Sequence, residues 1–362
     1  MQFVTARVVP YRLALDPPFR WRGGEVERRE GVLLRLEDSK GRVGWGDAAP
    51  LPGFSPDTLA EATEALERAI DELGGLDVDP RGVVDPASTL HAALDRLGLV
   101  PSARYALDLA LAEWAARVRR RSLPVFLHSG PVPPLPLAAL LDAPPDRVVD
   151  LAAVRAAEGY QALKLKAGWL DPEADAEIAR DVRRYAGSDV ELRVDANRAW
   201  TTDQAAAFAE RVRPARISYV EEPLLAALVD ELEDLSRDMQ LPIALDESLS
   251  EPYGEERLGP WVAAVVLKPT VLGGVARVLK LAARAREVGA RPVLSAAFES
   301  GVGQRGVAVL AVATGGEPAG LDPYRRLTED VIAPPLALNQ PLVDVRGLFG
   351  RGLTVRVPEE DR

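Results

Sequence analysis

Five charged residues, Lys166, Asp195, Glu221, Asp246 and Lys268, each close an apolar run of strand length, and successive members lie 22 to 29 residues apart. A strand, a helix and two short turns use about that many residues, so the spacing predicts repeated βα units. In a parallel arrangement the C-terminal strand ends share one face, and all five side chains reach the same rim.

The rest of the chain supports that periodicity. Short apolar segments near 135–141, 162–167, 190–195, 217–221, 242–246, 263–268, 292–296 and 318–322 read as strands, with helical patterns between them. Among these are 172–186, opened by Asp171-Pro172 and ended by Gly187; 202–213, capped by Thr201 or Thr202 and closed by Pro214; and 274–288, with Gly289 after it. The predicted fold class is α/β, a modified (β/α)8 TIM-type barrel over residues 126–330. An open doubly wound sheet would carry a Gly-rich phosphate turn after its first strand, and the sequence has none.

Residues 1–125 differ in texture and predict an α+β capping domain. Gly31–Glu37 and Gly41–Gly46 flank the turn signal Asp38–Gly41, which predicts a hairpin. Helices are expected near 56–73, with Ser55-Pro56 as N-cap and first residue, then near 86–97 and 101–120. The C-terminal segment 331–362, with Pro334-Pro335 and a strand-like Gly352–Val357, is expected to return to the capping domain.

Composition narrows the chemistry. There is no cysteine, and His91 and His128 are the only histidines, so thiolate sites, a His-rich zinc site and a Ser-His-Asp triad are disfavoured. Lys, Arg, Asp, Glu and an oxygen-preferring metal remain. A net charge of −11 argues against nucleic acid or an anionic membrane as partner. No apolar run approaches the roughly 18 residues of a membrane span. The N-terminus carries Arg7 and no apolar core, so it reads as a first strand of a cytoplasmic protein. A monomer and a homo-oligomer are both compatible with the sequence.

Asp195, Glu221 and Asp246 end successive strands, and neighbouring strands lie about 4.8 Å apart. A single strand-end acid commonly caps a helix or meets solvent. Three gathered without a cation would repel and take up protons, so the trio points to Mg²⁺, which takes oxygen ligands and keeps positions for substrate; Mn²⁺ fits the same ligands. Lys164 and Lys166 are two apart on one strand and therefore share a face. An exposed edge would explain two such lysines, but a strand inside a βα series has no edge. Like charge and a nearby metal are expected to depress the pKa of one lysine toward a usable base. Lys268 ends a strand about four places away, across the barrel mouth. Ser295 leads a loop of small residues with room for substrate, and Ser300-Gly301 offers backbone N–H groups to a carboxylate at a helix start. Plain turn chemistry is the alternative there.

Lys164-x-Lys166, Asp195-x-Asn197, Glu221-Glu-Pro, Asp246-Glu-Ser and Lys268-Pro fall in one order along the chain. In that order the sequence resembles the enolase superfamily in its muconate-lactonizing-enzyme-like branch, over nearly its whole length. Sites of that superfamily use a Lys or His base with Mg²⁺. The resemblance implies that Asp195, Glu221 and Asp246 bind Mg²⁺. It implies that Lys166 removes a proton next to a carboxylate, that Lys268 stays cationic on the other face, and that Lys164 helps hold the carboxylate, with Asn197 as support. The substrate is then a small-molecule carboxylate, first a succinyl-substituted hydroxycyclohexadiene that loses water to become aromatic. Racemisation of N-succinylamino acids or epimerisation of dipeptides is the alternative in the same branch, and a silent barrel scaffold the remote one. The loop 46–54 and the segment Asp16–Gly24 are candidate lids, with Arg20 and Arg22 available to a succinyl carboxylate. Ala296 and Ala297 stand where family members often have serines, and Ala319–Pro323 lacks the paired Asp-x-Asp of a dipeptide epimerase.

Overall fold

The computed structural model describes residues 3–356 apart from 22, 74–77, 86, 129 and 351. The chain opens with a three-stranded antiparallel sheet of β1 (Phe3–Trp21), β2 (Gly24–Asp38) and β3 (Val43–Ala48), in that order. The β2–β3 turn forms as the Asp38–Gly41 signal predicts: Gly41 N donates to Asp38 O, and the Asp38 carboxylate accepts from Lys40 N and Arg42 N. Helices α1 (Leu59–Leu73), α2 (Thr89–Arg96) and α3 (Pro101–Val118) complete the cap.

Helix α1 begins later than Ser55-Pro56 would have it. Thr58 is the cap, exchanging hydrogen bonds with Glu61 in both directions. Ser55 has a different task, its Oγ accepting from Leu51 N to hold the preceding loop.

Helix α3 is buried along most of its length. It lies so close to β3 that a β-carbon on Gly44 or Gly46 would overlap the carbonyl oxygens of Ala110 or Ala106. Gly46→Ala is therefore expected to destabilise the protein by about 1–3 kcal/mol, measured as a lowered thermal midpoint. An unchanged midpoint would mean that the helix can back away.

After α4 (Leu123–Leu127) and the short β4 (Leu135–Pro136) comes the βα series: β5 (Ala138–Leu141), α5 (Val148–Ala157), β6 (Ala162–Lys166), α6 (Pro172–Ala186), β7 (Glu191–Asp195), α7 (Thr202–Val212), β8 (Tyr219–Glu221), α8 (Leu232–Met239), β9 (Ile243–Leu245), α9 (Glu247–Ser250), β10 (Val262–Leu267), α10 (Pro269–Leu272), α11 (Val275–Glu287), β11 (Arg291–Leu294) and α12 (Gly301–Ala313). Strands β5 to β11 form one parallel sheet in sequence order. Thr201 caps α7 with a full capping box to Gln204.

The eighth position is shorter than the 318–322 strand expected. Only Ala319 and Gly320 bridge, the first to Leu137 and the second to Ser295, and together they close the barrel. Pro318 and Pro323 flank the pair, and proline has no N–H for a ladder.

The tail adds β12 (Ile332–Ala333), β13 (Leu342–Val343) and β14 (Thr354–Val355). The first and last pair with each other and β13 pairs with β4, so the segment does not extend the cap sheet. Chain pairing with the cap occurs just before it, where Leu327 bridges Leu15 and Thr328 N donates to Ala14 O.

Alternation sorts the barrel strands. Leu163, Leu165, Leu192, Val194 and Val220 enter the large core, while Tyr219, Ala244, Ala264 and Val293 form a separate cluster. Arg193 lies level with Lys164 and Tyr219 on neighbouring strands, fully buried, donating to Pro318 O and paired with Glu191. Among the described residues no helix is long and apolar enough to cross a membrane.

Candidate active site

Lys166, Asp195 and Glu221 lie at one level, paired in register across β6, β7 and β8. Asp246 and Lys268 follow the last residues of β9 and β10. In a closed eight-membered ring, β6 and β10 are four places apart, so Lys166 and Lys268 stand across the mouth from each other. Both line a cavity of about 860 Å³, measured out to its open mouth, with Lys164, Asp195, Asn197, Asp246 and Ser295.

The expected gathering of three acids around one point is not reached: among the described residues no three acidic side chains lie at metal-holding spacing. Ammonium groups stand among them. Lys164 Nζ is 2.9 Å from Asp195 Oδ2 and 2.7 Å from Glu221 Oε2, Lys166 Nζ is 2.7 Å from Asp195 Oδ2, and Lys268 pairs with Asp246. Asn197 Oδ1 also accepts from Lys166 Nζ, at 2.7 Å.

The donor set nevertheless suits a hard divalent cation. It is all oxygen and buried, and Glu221 Oε2, though near Lys164, makes no hydrogen bond of adequate angle.

Charge follows the pairing. Burial alone would lower the Lys164 pKa, but the Asp195, Glu221 and Asp246 charges outweigh it and hold the group well above its ordinary value. Acids rather than amines are its nearest neighbours in this arrangement. Burial opposes Asp195 ionisation, yet Lys164 and Lys166 together hold its carboxyl far below the usual range. Glu221 is raised, by burial and then by the Asp195 charge, so the two acids share one amine unequally. Burial likewise raises Asp246 against the pull of Lys268. The Lys268 ammonium is disfavoured by burial but more strongly favoured by Asp246 and Glu247, and its pKa is raised.

Other expected contacts fall differently. Ser295 lines the cavity, but Ser300 N and Oγ both donate to Asp47, and Gly301 N donates to Asp330. The N–H groups assigned to a substrate carboxylate are thus occupied by the protein's own acids. Arg20 pairs with Glu25 across the hairpin tip and is 73% exposed at the side chain. Arg22 lies outside the described residues.

Several site residues carried no signal of their own. Glu222 Oε1 accepts from Asp246 N, Ser248 N and Ser248 Oγ, and so fixes the loop that carries Asp246. Glu247 lines the cavity, its Oε1 accepts from Asn197 Nδ2, and its Oε2 is buried without a hydrogen-bond partner. Adjacency to Glu221 and Asp246 was the available clue. The apolar wall of Phe19, Leu51, Phe54, Val271 and Phe298 was not foreseen residue by residue, although both candidate lids contribute to it.

Comparison with known proteins agrees with this architecture. The Enolase C-terminal domain-like family matches residues 147–360, and the MenC, N-terminal domain matches residues 3–114. The o-succinylbenzoate synthase of Yersinia enterocolitica is 33% identical over 313 residues, covering 84% of this chain and 85% of that protein. That of Klebsiella pneumoniae is 30% identical, covering 95% and 98%. Among solved structures, a dipeptide epimerase from Enterococcus faecalis, complexed with Mg and the dipeptide L-Leu-L-Tyr, has a TM-score of 0.86 at 24% identity, covering 98% and 100%. The L-Ala-D/L-Glu epimerase from Bacillus subtilis has 0.83 at 22%, covering 95% and 96%. At these identities the solved structures speak for the fold alone. By sequence the chain belongs to the enolase superfamily, among its o-succinylbenzoate synthase-like members, and is an enzyme of that family.

Proposed function

We propose that this enzyme is an o-succinylbenzoate synthase, dehydrating 2-succinyl-6-hydroxy-2,4-cyclohexadiene-1-carboxylate to 2-succinylbenzoate, a step of menaquinone synthesis. The observation that carries the reading is about 30% or higher identity to several such synthases across most of the chain. The site supplies compatible parts. Asp195, Glu221 and Asp246 would hold Mg²⁺, whose charge stabilises the enolate oxygens when bound.

Lys166, as the free amine, takes the proton next to the substrate carboxylate, and the C–H pair moves into the enolate. The same ammonium then protonates the departing hydroxyl on its own face; water leaves and the ring becomes aromatic. Lys268 on the opposite face stays an ammonium and offsets the developing negative charge. Asn197 holds Lys166 in line. Lys164 stays charged between Asp195 and Glu221.

Racemisation or epimerisation would use the same lysine pair. One detail favours the dehydratase over a dipeptide epimerase: Ala319–Pro323 places one acid, Asp322, in the cavity wall and lacks the paired Asp-x-Asp of a dipeptide epimerase.

The deciding experiment offers the purified protein, with Mg²⁺, the cyclohexadiene and separately N-succinylamino acids in D₂O. The diene absorbance is expected to disappear about 10⁶-fold or more faster than without protein, the lower end of ordinary enzymatic acceleration. Solvent deuterium entering only the amino acid α-carbon, with no diene consumed, would replace the proposal with a racemase.

A further inference from the structure

Behind the cavity wall lies a guanidinium with an unusual set of partners. Arg29 on β2 is 1% exposed and donates to three backbone carbonyls in two distant loops. Its Nη2 reaches Ala49 O at 2.7 Å and Pro50 O at 3.1 Å, in the loop after β3. Its Nε reaches Phe298 O at 3.0 Å, in the loop after β11. Each loop delivers an apolar side chain to the cavity, Leu51 from the cap and Phe298 from the barrel.

Phe298 needs such a restraint. Its φ is +61°, a left-handed conformation that a bulky residue adopts only when its surroundings impose it. The residues around it are held in turn. Ala297 N donates to Glu299 Oε2, Thr270 Oγ1 donates to Glu299 Oε1, and Ser300 is fixed by Asp47. The ring packs at 4.6 Å from that of Phe19 at the hairpin tip, and Phe19 packs on Trp21 and Phe54. Leu15, Leu51, Val271, Ala297 and Phe298 make a small apolar cluster of their own.

We propose that Arg29 is a positioning residue: by clamping the Ala49–Pro50 and Phe298 carbonyls together it sets the spacing of the Leu51 and Phe298 walls, and these walls grip the unreactive, apolar body of the substrate. None of the three carbonyls that Arg29 holds belongs to a lysine or acid of the rim, so the clamp governs binding more than the proton transfers. A planar guanidinium can serve both loops at once, whereas a lysine ammonium has no such fork. This inference rests on the cavity being the active site proposed above, and its first test does not need the reaction.

Hydrogen–deuterium exchange of Arg29→Met is expected to quicken tenfold or more at the amides of 49–54 and 296–300, with the strands β6 to β10 unchanged. With whichever substrate turns over, Arg29→Met is expected to raise KM at least tenfold while kcat stays within threefold, and Arg29→Lys to recover part of that loss. Where Arg29→Met does not fold, Phe298→Gly decides, since glycine accepts the left-handed backbone and only the ring is lost. It is expected to stay folded and raise KM. Exchange and KM both unchanged in Arg29→Met, a fall in kcat at constant KM, or an unaltered KM in Phe298→Gly would each overturn the proposal. Absence of turnover with the cyclohexadiene in the unmodified enzyme would instead defeat the proposed reaction, with the exchange result still standing.

Discussion

Lys166→Ala is expected to lower kcat on the order of 10³-fold or more, the scale of losing a general base that also serves as the acid of the second half-step, while the thermal midpoint changes little. The asymmetry follows from the pairing at the rim. Removing a partner from a buried charge costs several kcal/mol when the charge is stranded. Asp195 is not stranded here, because Lys164 Nζ remains 2.9 Å from the same carboxylate oxygen that Lys166 contacts. Steady-state kinetics with a parallel thermal melt reads both halves of the expectation. Retained turnover would remove Lys166 from the chemistry, and collapse of the melt would make it a structural residue.

Metal removal should have an effect of comparable size on activity and a second, separable effect on stability. A chelator is expected to abolish turnover, and added Mg²⁺, or Mn²⁺ in the same assay, to restore it. A cation bound only by the folded state also stabilises that state by about 2.7 kcal/mol at a free concentration 100 times its Kd. For a chain of 362 residues, with an unfolding entropy of about 2.1 cal/mol/K per residue, this is a rise of roughly 3–4 °C in the melting midpoint. Glu221→Gln takes away one anionic ligand and is expected to shrink that rise. A midpoint indifferent to Mg²⁺ in the unmodified protein would contradict the assignment of the three acids as ligands, whatever the activity.

The placing of the five charges on one rim was readable because each strand end announces itself: an apolar run stops at a charge, and the interval to the next is a fixed structural unit. Period-two alternation then put Lys164 and Lys166 on one face from the sequence alone. Local chemistry was less legible where one residue type has two good uses. Ser55 is as suited to holding a loop amide as to capping a helix, and the choice went to the loop because Thr58 has Glu61 three residues on. Ser300-Gly301 does open a helix, as its sequence implies, but acids from β3 and from residue 330 arrive at those amides first. Long-range partners of this kind leave no local pattern. The apolar wall is the extreme case, since Phe19, Leu51 and Phe298 differ from core residues only in what stands opposite them.

The clamp and the Asp47 contacts have a bearing on how the chain is made. Arg29 and Asp47 are synthesised well before their partners: the acceptor at Phe298 lies 269 residues downstream of the first and the donors at Ser300 253 residues downstream of the second. Until at least 253 further residues have been added after Asp47, the nascent cap carries a guanidinium and a carboxylate lacking those counterparts. Its final docking is therefore a late event, and an isolated N-terminal fragment would expose to water the very surface that the finished enzyme hides.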